Sequence, residues 1–318
     1  MIDVELRRQR RLGEELEENG LPPPDDTDLR GMLLEEVDQA LRPPVHERRA
    51  PSSGTILEPR ADRGTWEPRT NLGISCLPVT PRPVASLRRL ADGLSSWLVR
   101  RRIGEDEWLL FDRPAGSERD LIVLSRALDA TVVQRHPSGW VRLVGRFGVL
   151  RWNGLRWHHE PPIETWWGSI TGDGFVGDPG VMKTLAEFAI HDLGAIGIGA
   201  LLVYHPGPAG TGTEERLPPP PPLDLRVPEH LAPLRHVLSQ LDGAALFDCE
   251  GVLQGLGVRL IPSLEAEASV EPLGGTRHTS ARRYSYDNPE ATVVAVSEDG
   301  PVSVMRAGAV LGRSPDSA

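Results

Sequence analysis

The chain has 318 residues, a mass of 34.8 kDa and a formal charge of −10, from 35 basic and 45 acidic side chains. This length suits one large domain or two ordinary ones. The acidic balance argues against a nucleic-acid partner, whose binding domain should be basic. Two distant cysteines, Cys76 and Cys249, exclude a disulfide scaffold and a cysteine-rich zinc site.

The sequence predicts no membrane segment. Its longest uncharged apolar run, Gly194 to Tyr204, is about half of the roughly 20 residues that a span requires. Glu and Arg fill the first 20 positions, unlike a signal peptide. We therefore expect a cytoplasmic protein without a membrane partner.

Tryptophan and lysine are unevenly distributed. All 8 tryptophans lie between residues 66 and 167, which predicts two cores of different composition. The only lysine is Lys183, so the chain has no Walker A loop, which needs Gly-Lys-Ser/Thr. Lys183 falls on the polar face of a predicted helix beside Glu187 and is interpreted as a surface residue.

Residues 1–60 are charged and proline-rich, and this composition predicts a mostly disordered arm. One short amphipathic docking helix is expected around Leu33–Leu41. The basic run at 7–11 is either a site for an anionic partner or, as we favour, a solvated helix face balanced by the glutamates that follow it.

Residues 61–170 are predicted to form a smaller β-rich α+β module with a sensory or regulatory role. The spacing of leucines predicts one helix over Val84–Val99. The Asn153-Gly154 pair predicts a hairpin. His158-His159 beside Glu160 is either a metal-ligand set or, as we favour, ordinary rim residues, because neighbours on a strand point to opposite faces. The predicted strands are Trp108–Phe111, Thr131–Gln134, Trp140–Val144, Val149–Trp152 and Leu155–His158.

Residues 171–318 are predicted to form an α/β domain with a mixed sheet. A helix with an apolar face runs from Val181 to Leu193, with Gly194 as its C-cap. The unbroken apolar run at 198–203 predicts a strand buried on both faces. The proline-rich insertion at 206–228 is either an SH3-type ligand or, as we favour, a stiff surface segment. Further predicted elements are a helix over Glu229–Gln240, a helix that begins near Thr276, and strands Ala244–Phe247, Val252–Ile261, Thr292–Ser297 and Val302–Arg306.

Three short motifs in this domain carry groups suited to phosphate and metal chemistry. An aspartate next to glycine at the mouth of a sheet can bind a metal or accept a hydroxyl proton. Threonine, arginine and histidine at a helix start offer many donors to one anion, aided by the helix dipole. Each motif alone is also compatible with a turn or an N-cap. The motifs are Asp242-Gly243-Ala244, Gly274-Gly275-Thr276-Arg277-His278-Thr279-Ser280-Ala281 and Ser297-Glu298-Asp299-Gly300.

Together with the strand Gly199-Ala200-Leu201-Leu202-Val203, these motifs resemble the diadenylate cyclase (DAC) domain family. That family carries, in the same order, Gly-Ala-Leu-Ile/Leu-Val, Asp-Gly-Ala, Gly-Thr-Arg-His-Arg-Ala-Ala and Ser-Glu-Glu. The resemblance covers about residues 181–310. It implies a DAC-type mixed β-sheet flanked by helices.

The resemblance also implies an activity. Family members join two ATP molecules into cyclic di-AMP, release two pyrophosphates, use Mg²⁺ or Mn²⁺, and require two facing domains, so we expect a homo-oligomer. By this likeness Asp242 activates the ribose 3′-hydroxyl or binds the metal, Arg277 and His278 act in catalysis, and Glu298 is a second metal ligand. The ATP-binding set implied is Gly243, Ala244, Gly275, Thr276, Arg277, His278, Thr279 and Ser297.

Three positions depart from the family pattern. Thr279 stands where the family has its second arginine, Leu241 where many members have a histidine, and Asp299 where a glutamate is usual. The first departure removes a cationic contact and the second a potential metal ligand. We favour an active enzyme, because the main acidic and basic groups remain. The alternatives are a nucleotide-binding pseudoenzyme and an interaction scaffold that uses the proline-rich and tryptophan-rich segments.

Overall fold

The computed structural model describes residues 2–22, 24–45, 50–79, 84–208 and 210–314. The chain forms two compact units, Met1–Pro162 and Ile163–Ala318. Each unit contains a mixed β-sheet flanked by helices, which confirms the predicted mixed α/β fold. Residues 163–170, assigned from the sequence to the tryptophan-rich module, belong to the second unit. The first unit is therefore about as large as the second.

The first unit is built on an eight-stranded sheet. Its strands are β1 (Ser53–Leu57), β2 (Ile74–Pro78), β3 (Ser96–Arg100), β4 (Glu107–Phe111), β5 (Thr131–Arg135), β6 (Val141–Gly145), β7 (Gly148–Trp152) and β8 (Trp157–Glu160). Its helices are α1 (Ile2–Glu18), α2 (Thr27–Leu41), α3 (Trp66–Thr70), α4 (Val84–Arg88) and α5 (Glu118–Leu128). The strand order is β2-β4-β3-β1-β5-β6-β7-β8. β1 and β3 are parallel, and the other neighbouring strands pair antiparallel.

The N-terminal segment is ordered where the structure describes it, so the prediction of a mostly disordered arm is wrong. Leu16 of α1 and Val37 of α2 pack in one apolar cluster with Val133 and Leu143 of the sheet. Each helix has too few apolar residues to form a core alone, and the sheet supplies the missing surface. α2 confirms the helix expected around Leu33–Leu41. The basic run lies in α1, where Arg10 pairs with Glu14 at 3.0 Å on an exposed face.

The single helix predicted over Val84–Val99 is also wrong, because the segment changes from α4 to β3. The Asp92 carboxylate accepts hydrogen bonds from the backbone N–H groups of residues 94, 95 and 96. Gly93 then takes a positive φ of 72°. α4 has already ended at Arg88, and this Asp-Gly turn directs the chain into a central strand. The apolar residues that follow the turn are buried in that strand.

The second unit is built on a seven-stranded sheet. Its strands are β9 (Ala200–Tyr204), β10 (Thr213–Glu214), β11 (Ala244–Phe247), β12 (Leu253–Leu260), β13 (Thr292–Val296), β14 (Val302–Arg306) and β15 (Ala309–Arg313). Its α-helices are α6 (Glu164–Ile170), α7 (Pro179–Phe188), α8 (Pro228–Leu238), α9 (Leu264–Ser269) and α10 (Thr276–Asp287). The strand order is β10-β12-β11-β9-β13-β14-β15, with β9 and β11 parallel. Helices α7 and α8 cover one face of this sheet and α10 covers the other.

Gly194 follows the helical run that ends at Leu193, as the sequence predicts, but it keeps a right-handed conformation and does not terminate the helical path. The chain continues from α7 through a π-helical turn over Ala189–Leu193 and a 3₁₀ turn over Gly194–Ile196. Gly197, with a φ of 73°, takes the left-handed conformation that ends the helix. Gly194 has another role, because a Cβ there would lie 2.7 Å from the Gly300 carbonyl oxygen. The missing side chain lets this turn pack against the turn after β13.

The proline-rich insertion crosses the edge of the second sheet. β10 pairs antiparallel with β12. The Leu225 N–H donates to the Gly251 carbonyl at 3.1 Å. Between these contacts, four of the five prolines at 218–222 are exposed. This arrangement agrees with the interpretation of a stiff surface segment, since both ends are held and the prolines are not buried.

Candidate functional site

The topology of the second sheet brings the three motifs to one edge. β9 and β11 are parallel, with Leu201 opposite Ala244, so their N-terminal ends lie side by side. β13 runs antiparallel to β9, with Val296 opposite Ala200, so the C-terminal end of β13 lies at the same edge. Asp242 precedes β11 and Glu298 follows β13. The two acidic motifs therefore meet beside the start of β9.

Arg277 links these two motifs. Its Nη1 donates to Glu298 Oε1 at 2.9 Å, and its Nη2 lies 3.8 Å from Asp242 Oδ1. The Asp242 and Glu298 side chains are 102% and 69% exposed, whereas that of Arg277 is 36% exposed. Ion pairs this exposed contribute at most about 1 kcal/mol. A phosphate can therefore replace either carboxylate at the guanidinium at small cost, and Arg277 is suited to bind it in a bidentate manner.

Gly199 makes the close approach of these groups possible. A Cβ at this position would lie 2.9 Å from Glu298 Cγ and closer still to the Arg277 guanidinium. Besides its place in the strand motif, Gly199 is thus needed at the site because a side chain there would collide with these two residues. Its backbone forms the floor on which Arg277 and Glu298 lie.

Helix α10 begins at Thr276, as predicted, and Gly275 is its N-cap residue without a side-chain cap. A Cβ on Gly274 or Gly275 would meet no atom within 4 Å, so the space before the helix is open. Thr276 is exposed and His278 half-buried. The N–H groups of the first turn, which carry partial positive charge, therefore face an accessible space next to Arg277.

Thr279 holds the loop before α10. Its hydroxyl accepts a hydrogen bond from the Leu273 N–H at 3.2 Å and lies 3.5 Å from the Leu273 carbonyl oxygen. A threonine hydroxyl used in this way shapes the Gly274-Gly275 turn. Thr279, at the position where the DAC pattern has its second arginine, is therefore a loop-ordering contact in this chain.

The Asp242-Gly243-Ala244 motif lies on a tight backbone crossing. Gly243 has a φ of 107°, and a Cβ there would lie 2.6 Å from the backbone carbon of Gly257. Ala244 is buried as the first residue of β11. Asp242 thus lies exposed just before β11, next to this crossing, and exposed Leu241 precedes it.

Ser297 belongs to the turn after β13. Its N–H donates to the Pro301 carbonyl at 2.9 Å, and its carbonyl accepts from the Gly300 N–H at 3.0 Å. The Ser297 side chain is half-buried, while Glu298 and Asp299 are exposed. This hairpin turn places Glu298 at the site.

Asp242 and Glu298 offer two carboxylates to a cation. No group of three His, Cys, Asp or Glu side chains placed to hold a metal occurs within the described ranges. Mg²⁺ usually binds proteins through one or two carboxylates and completes its shell with water and substrate phosphates. Asp242 and Glu298 supply two such carboxylates, and both side chains are more than two-thirds exposed, so water and substrate phosphates have access to complete the shell.

A buried pair that the sequence analysis missed lies under α10. His205, directly after β9, has its Nε2 at 2.9 Å from the Tyr284 hydroxyl of α10, and both residues are buried. Burial lowers the pKa of His205 and raises the pKa of Tyr284 to about 12. The pair connects the central strand to the helix that carries Arg277. A histidine after a buried strand and a tyrosine on the inner face of α10 were the available signals.

Lys183 and the His158-His159 pair have contacts typical of structural residues. The Lys183 Nζ pairs with Glu164 at 3.0 Å and is 40% exposed, as expected for a surface lysine, although Glu164 was not the predicted neighbour. His158 lies 3.5 Å from Glu160, whereas His159 Nε2 lies 2.8 Å from the Phe147 carbonyl oxygen. The two histidines therefore have separate surroundings, in agreement with the favoured interpretation.

Residues 10–160 match a family model described as "Probable sensor domain DACNK". No curated protein matches the chain. None of the helices in the described ranges combines the length and hydropathy that a bilayer span requires.

Two solved structures show low similarity to parts of the chain. A hypothetical membrane spanning protein from Bacillus cereus is 20% identical, with a TM-score of 0.34, over 48% of this chain and 68% of that one. A double mutant of DacA from Staphylococcus aureus is 18% identical, with a TM-score of 0.27, over 43% of this chain and 87% of that one. The family model thus covers most of the first unit and none of the second.

Proposed function

We propose that the second unit is a diadenylate cyclase that converts two ATP molecules into cyclic di-AMP and two pyrophosphates, under the control of the first unit as a sensor. The observation that carries the proposal is the position of Arg277 between Asp242 and Glu298, at the edge where the DAC-like motifs meet. The sensor role is supported by the family model that matches residues 10–160. We place the protein in the cytoplasm, where ATP is available.

The site residues have separate roles in phosphoryl transfer, which depends mainly on positioning and charge neutralisation. Arg277 and the N-terminal amides of α10 bind the phosphates, with Gly275, Thr276, His278, Thr279 and Ser297 around them. Asp242, exposed just before β11 beside Gly243 and Ala244, accepts the proton of the ribose 3′-hydroxyl or would hold the metal. The ribose 3′-oxygen attacks the α-phosphorus of the facing ATP, which forms the new P–O bond and releases pyrophosphate.

Asp242 and Glu298 would hold Mg²⁺ or Mn²⁺, which when bound neutralises phosphate charge. Two copies of the chain are required, because each ATP supplies a 3′-hydroxyl to the other. The open side of the site suits this arrangement, since Asp242 projects into solvent.

Purified protein incubated with ATP and Mn²⁺, followed by chromatography of the products, tests the proposal. We expect cyclic di-AMP and pyrophosphate in a 1:2 ratio, as the reaction requires two pyrophosphates for each product. Absence of the product with both Mg²⁺ and Mn²⁺, at protein concentrations that permit dimer formation, would contradict a cyclase.

One observation favours a second candidate, a nucleotide-binding pseudoenzyme. The Thr279 hydroxyl is engaged with Leu273 instead of offering a cationic side chain to phosphate. Calorimetric binding of ATP or cyclic di-AMP without turnover would select this candidate over the cyclase.

A further inference from the structure

The proline-rich insertion runs beside strand β12, on the side opposite to β11. Near its start, Thr213 lies opposite Leu260 in the β10–β12 pair. Near its end, the Leu253 N–H donates to the Leu223 carbonyl at 2.8 Å. Backbone pairing with one strand therefore holds the insertion on both sides of its proline run.

The five prolines at 218–222 restrict the segment between these two anchors. Proline has no N–H and a fixed φ, so the run cannot donate to β12 and forms a stiff connection instead. Leu217 is the last residue before the run. Its position is therefore restricted from one direction by β10 and from the other by the prolines.

Leu217 packs on a glycine of β12. Its Cδ1 lies 3.0 Å, and its Cγ 3.5 Å, from the point that a Cβ on Gly257 would occupy. Gly257 has a φ of 64°, a conformation that favours glycine. The leucine side chain thus lies in the space that this glycine leaves open. Because Leu217 is 39% exposed, its truncation would not open a cavity inside the core.

The other side of Gly257 contacts the Asp242 motif. A Cβ on Gly243 would lie 2.6 Å from the Gly257 carbonyl carbon and 2.9 Å from its Cα. The Asp242 carbonyl oxygen lies 3.5 Å from the same Cβ point of Gly257 that Leu217 approaches. Two glycines thus bring the backbones into direct contact. A shift at Leu217 is therefore transmitted to the backbone of Asp242, since close-packed atoms transmit strain.

The Asp242 carboxylate depends on its backbone for its position. Its side chain is 102% exposed, and its Oδ1 lies 3.8 Å from Arg277 Nη2, beyond hydrogen-bond distance. Contacts of the side chain therefore restrain it weakly. The backbone beside Gly243 has to supply most of the restraint.

We propose that Leu217 is a positioning residue for Asp242: the proline-rich insertion holds Leu217 on Gly257, and this contact fixes the backbone that carries the carboxylate. The proposal rests on the proposed function, in which Asp242 acts at the ribose 3′-hydroxyl. It gives the insertion a role in turnover through one apolar contact. A misplacement of about 1 Å at a reacting group can lower a rate about 100-fold.

Amide hydrogen exchange of the full chain without ATP tests the contact directly. Leu217→Ala removes the atoms that lie on Gly257 and should raise exchange in the peptide 241–246 about tenfold or more. Leu217→Met conserves the volume and should restore the wild-type protection. The matched control is Leu264→Ala, at a leucine of the same unit that is 85% exposed, and it should leave this peptide unchanged. Equal exchange in Leu217→Ala and wild type overturns the proposal.

Steady-state turnover of ATP separates positioning from binding. The groups proposed to bind phosphate lie on α10 and on the turn after β13. Leu217→Ala should therefore lower kcat about tenfold or more and change KM for ATP less than about twofold. Thermal unfolding shows that each variant is folded at the assay temperature, and Leu217→Met should recover the wild-type kcat. An unchanged kcat in Leu217→Ala, or an effect on KM alone, overturns the proposal.

The two measurements distinguish failure of this proposal from failure of the cyclase. Absence of cyclic di-AMP with the wild type counts against the cyclase alone, and the exchange experiment then still decides whether Leu217 holds the Asp242 backbone. An active wild type that Leu217→Ala matches in exchange and in kcat counts against the role of Leu217 alone.

Discussion

Arg277 and Glu298 form a 2.9 Å hydrogen-bonded ion pair although 21 positions separate them in the chain. Arg277 lies on the first turn of α10, whereas Glu298 lies on the turn after β13. The antiparallel pairing of β13 with the central strand β9 brings the two elements together. The pair lies at the sheet edge that also carries Asp242. Its exposure leaves the guanidinium available to a phosphate.

Replacement of Asp242 tests the proposed proton acceptor and metal ligand. Asp242→Asn keeps the size of the side chain but removes its charge and basicity, so cyclic di-AMP formation should fall by about 100-fold or more. The matched control is Glu250→Gln on the exposed turn after β11, which should retain full activity. Equal product formation by Asp242→Asn and wild type, measured by chromatography, would remove Asp242 from the mechanism.

Gly199→Ala tests the floor of the site. The added methyl group collides with Arg277 and Glu298, so turnover should decrease at least tenfold while the fold remains. The control is Gly168→Ala in α6, where a Cβ meets no atom within 4 Å. That change should stabilise the helix by about 0.5–1 kcal/mol and leave turnover unchanged. Normal turnover in Gly199→Ala would show that Arg277 and Glu298 need not stay close.

Glu118→Gln tests the buried ion pair of the first unit. It removes the nearer of the two carboxylates beside Arg151, whose side chain is 6% exposed and keeps Glu160 at 3.9 Å, and should lower the free energy of unfolding by about 3–5 kcal/mol. Asp129→Asn breaks the exposed pair with Arg146 instead and should cost less than about 1 kcal/mol. Urea denaturation measures both changes, and equal effects would contradict the different burial of the two pairs.

His205 should make stability depend on pH. Burial lowers its pKa in the folded state below the ordinary value of 6.5. Between these two pKa values the unfolded chain binds a proton that the folded chain does not. The contribution of neutral His205 to the free energy of unfolding is therefore fully present above about pH 7. It decreases as the pH falls through about 6.5, with a slope that approaches about 1.4 kcal/mol per pH unit.

His205→Gln should reduce that slope, as measured by urea denaturation at pH 5–7, while the same change at the exposed His236 serves as the control. His136, whose pKa is also lowered by burial, maintains part of the pH dependence in the variant. An unchanged slope in His205→Gln would mean that His205 accepts its proton in the folded protein as readily as in the unfolded chain.

Much of the local structure can be predicted from the sequence. The buried run at 198–203, the helix that begins at Thr276 and the hairpin at Asn153-Gly154 all carry strong local patterns, and the structure confirms them. The break between α4 and β3 escapes this reasoning. Its leucines repeat as in a helix, and the Asp92-Gly93 turn becomes decisive only because β3 is buried between β1 and β4.

The sequence by itself determined the mixed α/β class, the order of the four DAC-like motifs and the residue types available to bind phosphate. Tertiary structure decided what those residues contact. It ordered the N-terminal helices on the first sheet and placed Asp242, Arg277 and Glu298 at one edge of the second. Local patterns report backbone periodicity and turn chemistry, whereas burial and ion pairing depend on partners distant in the chain, which only the sheet topology brings together.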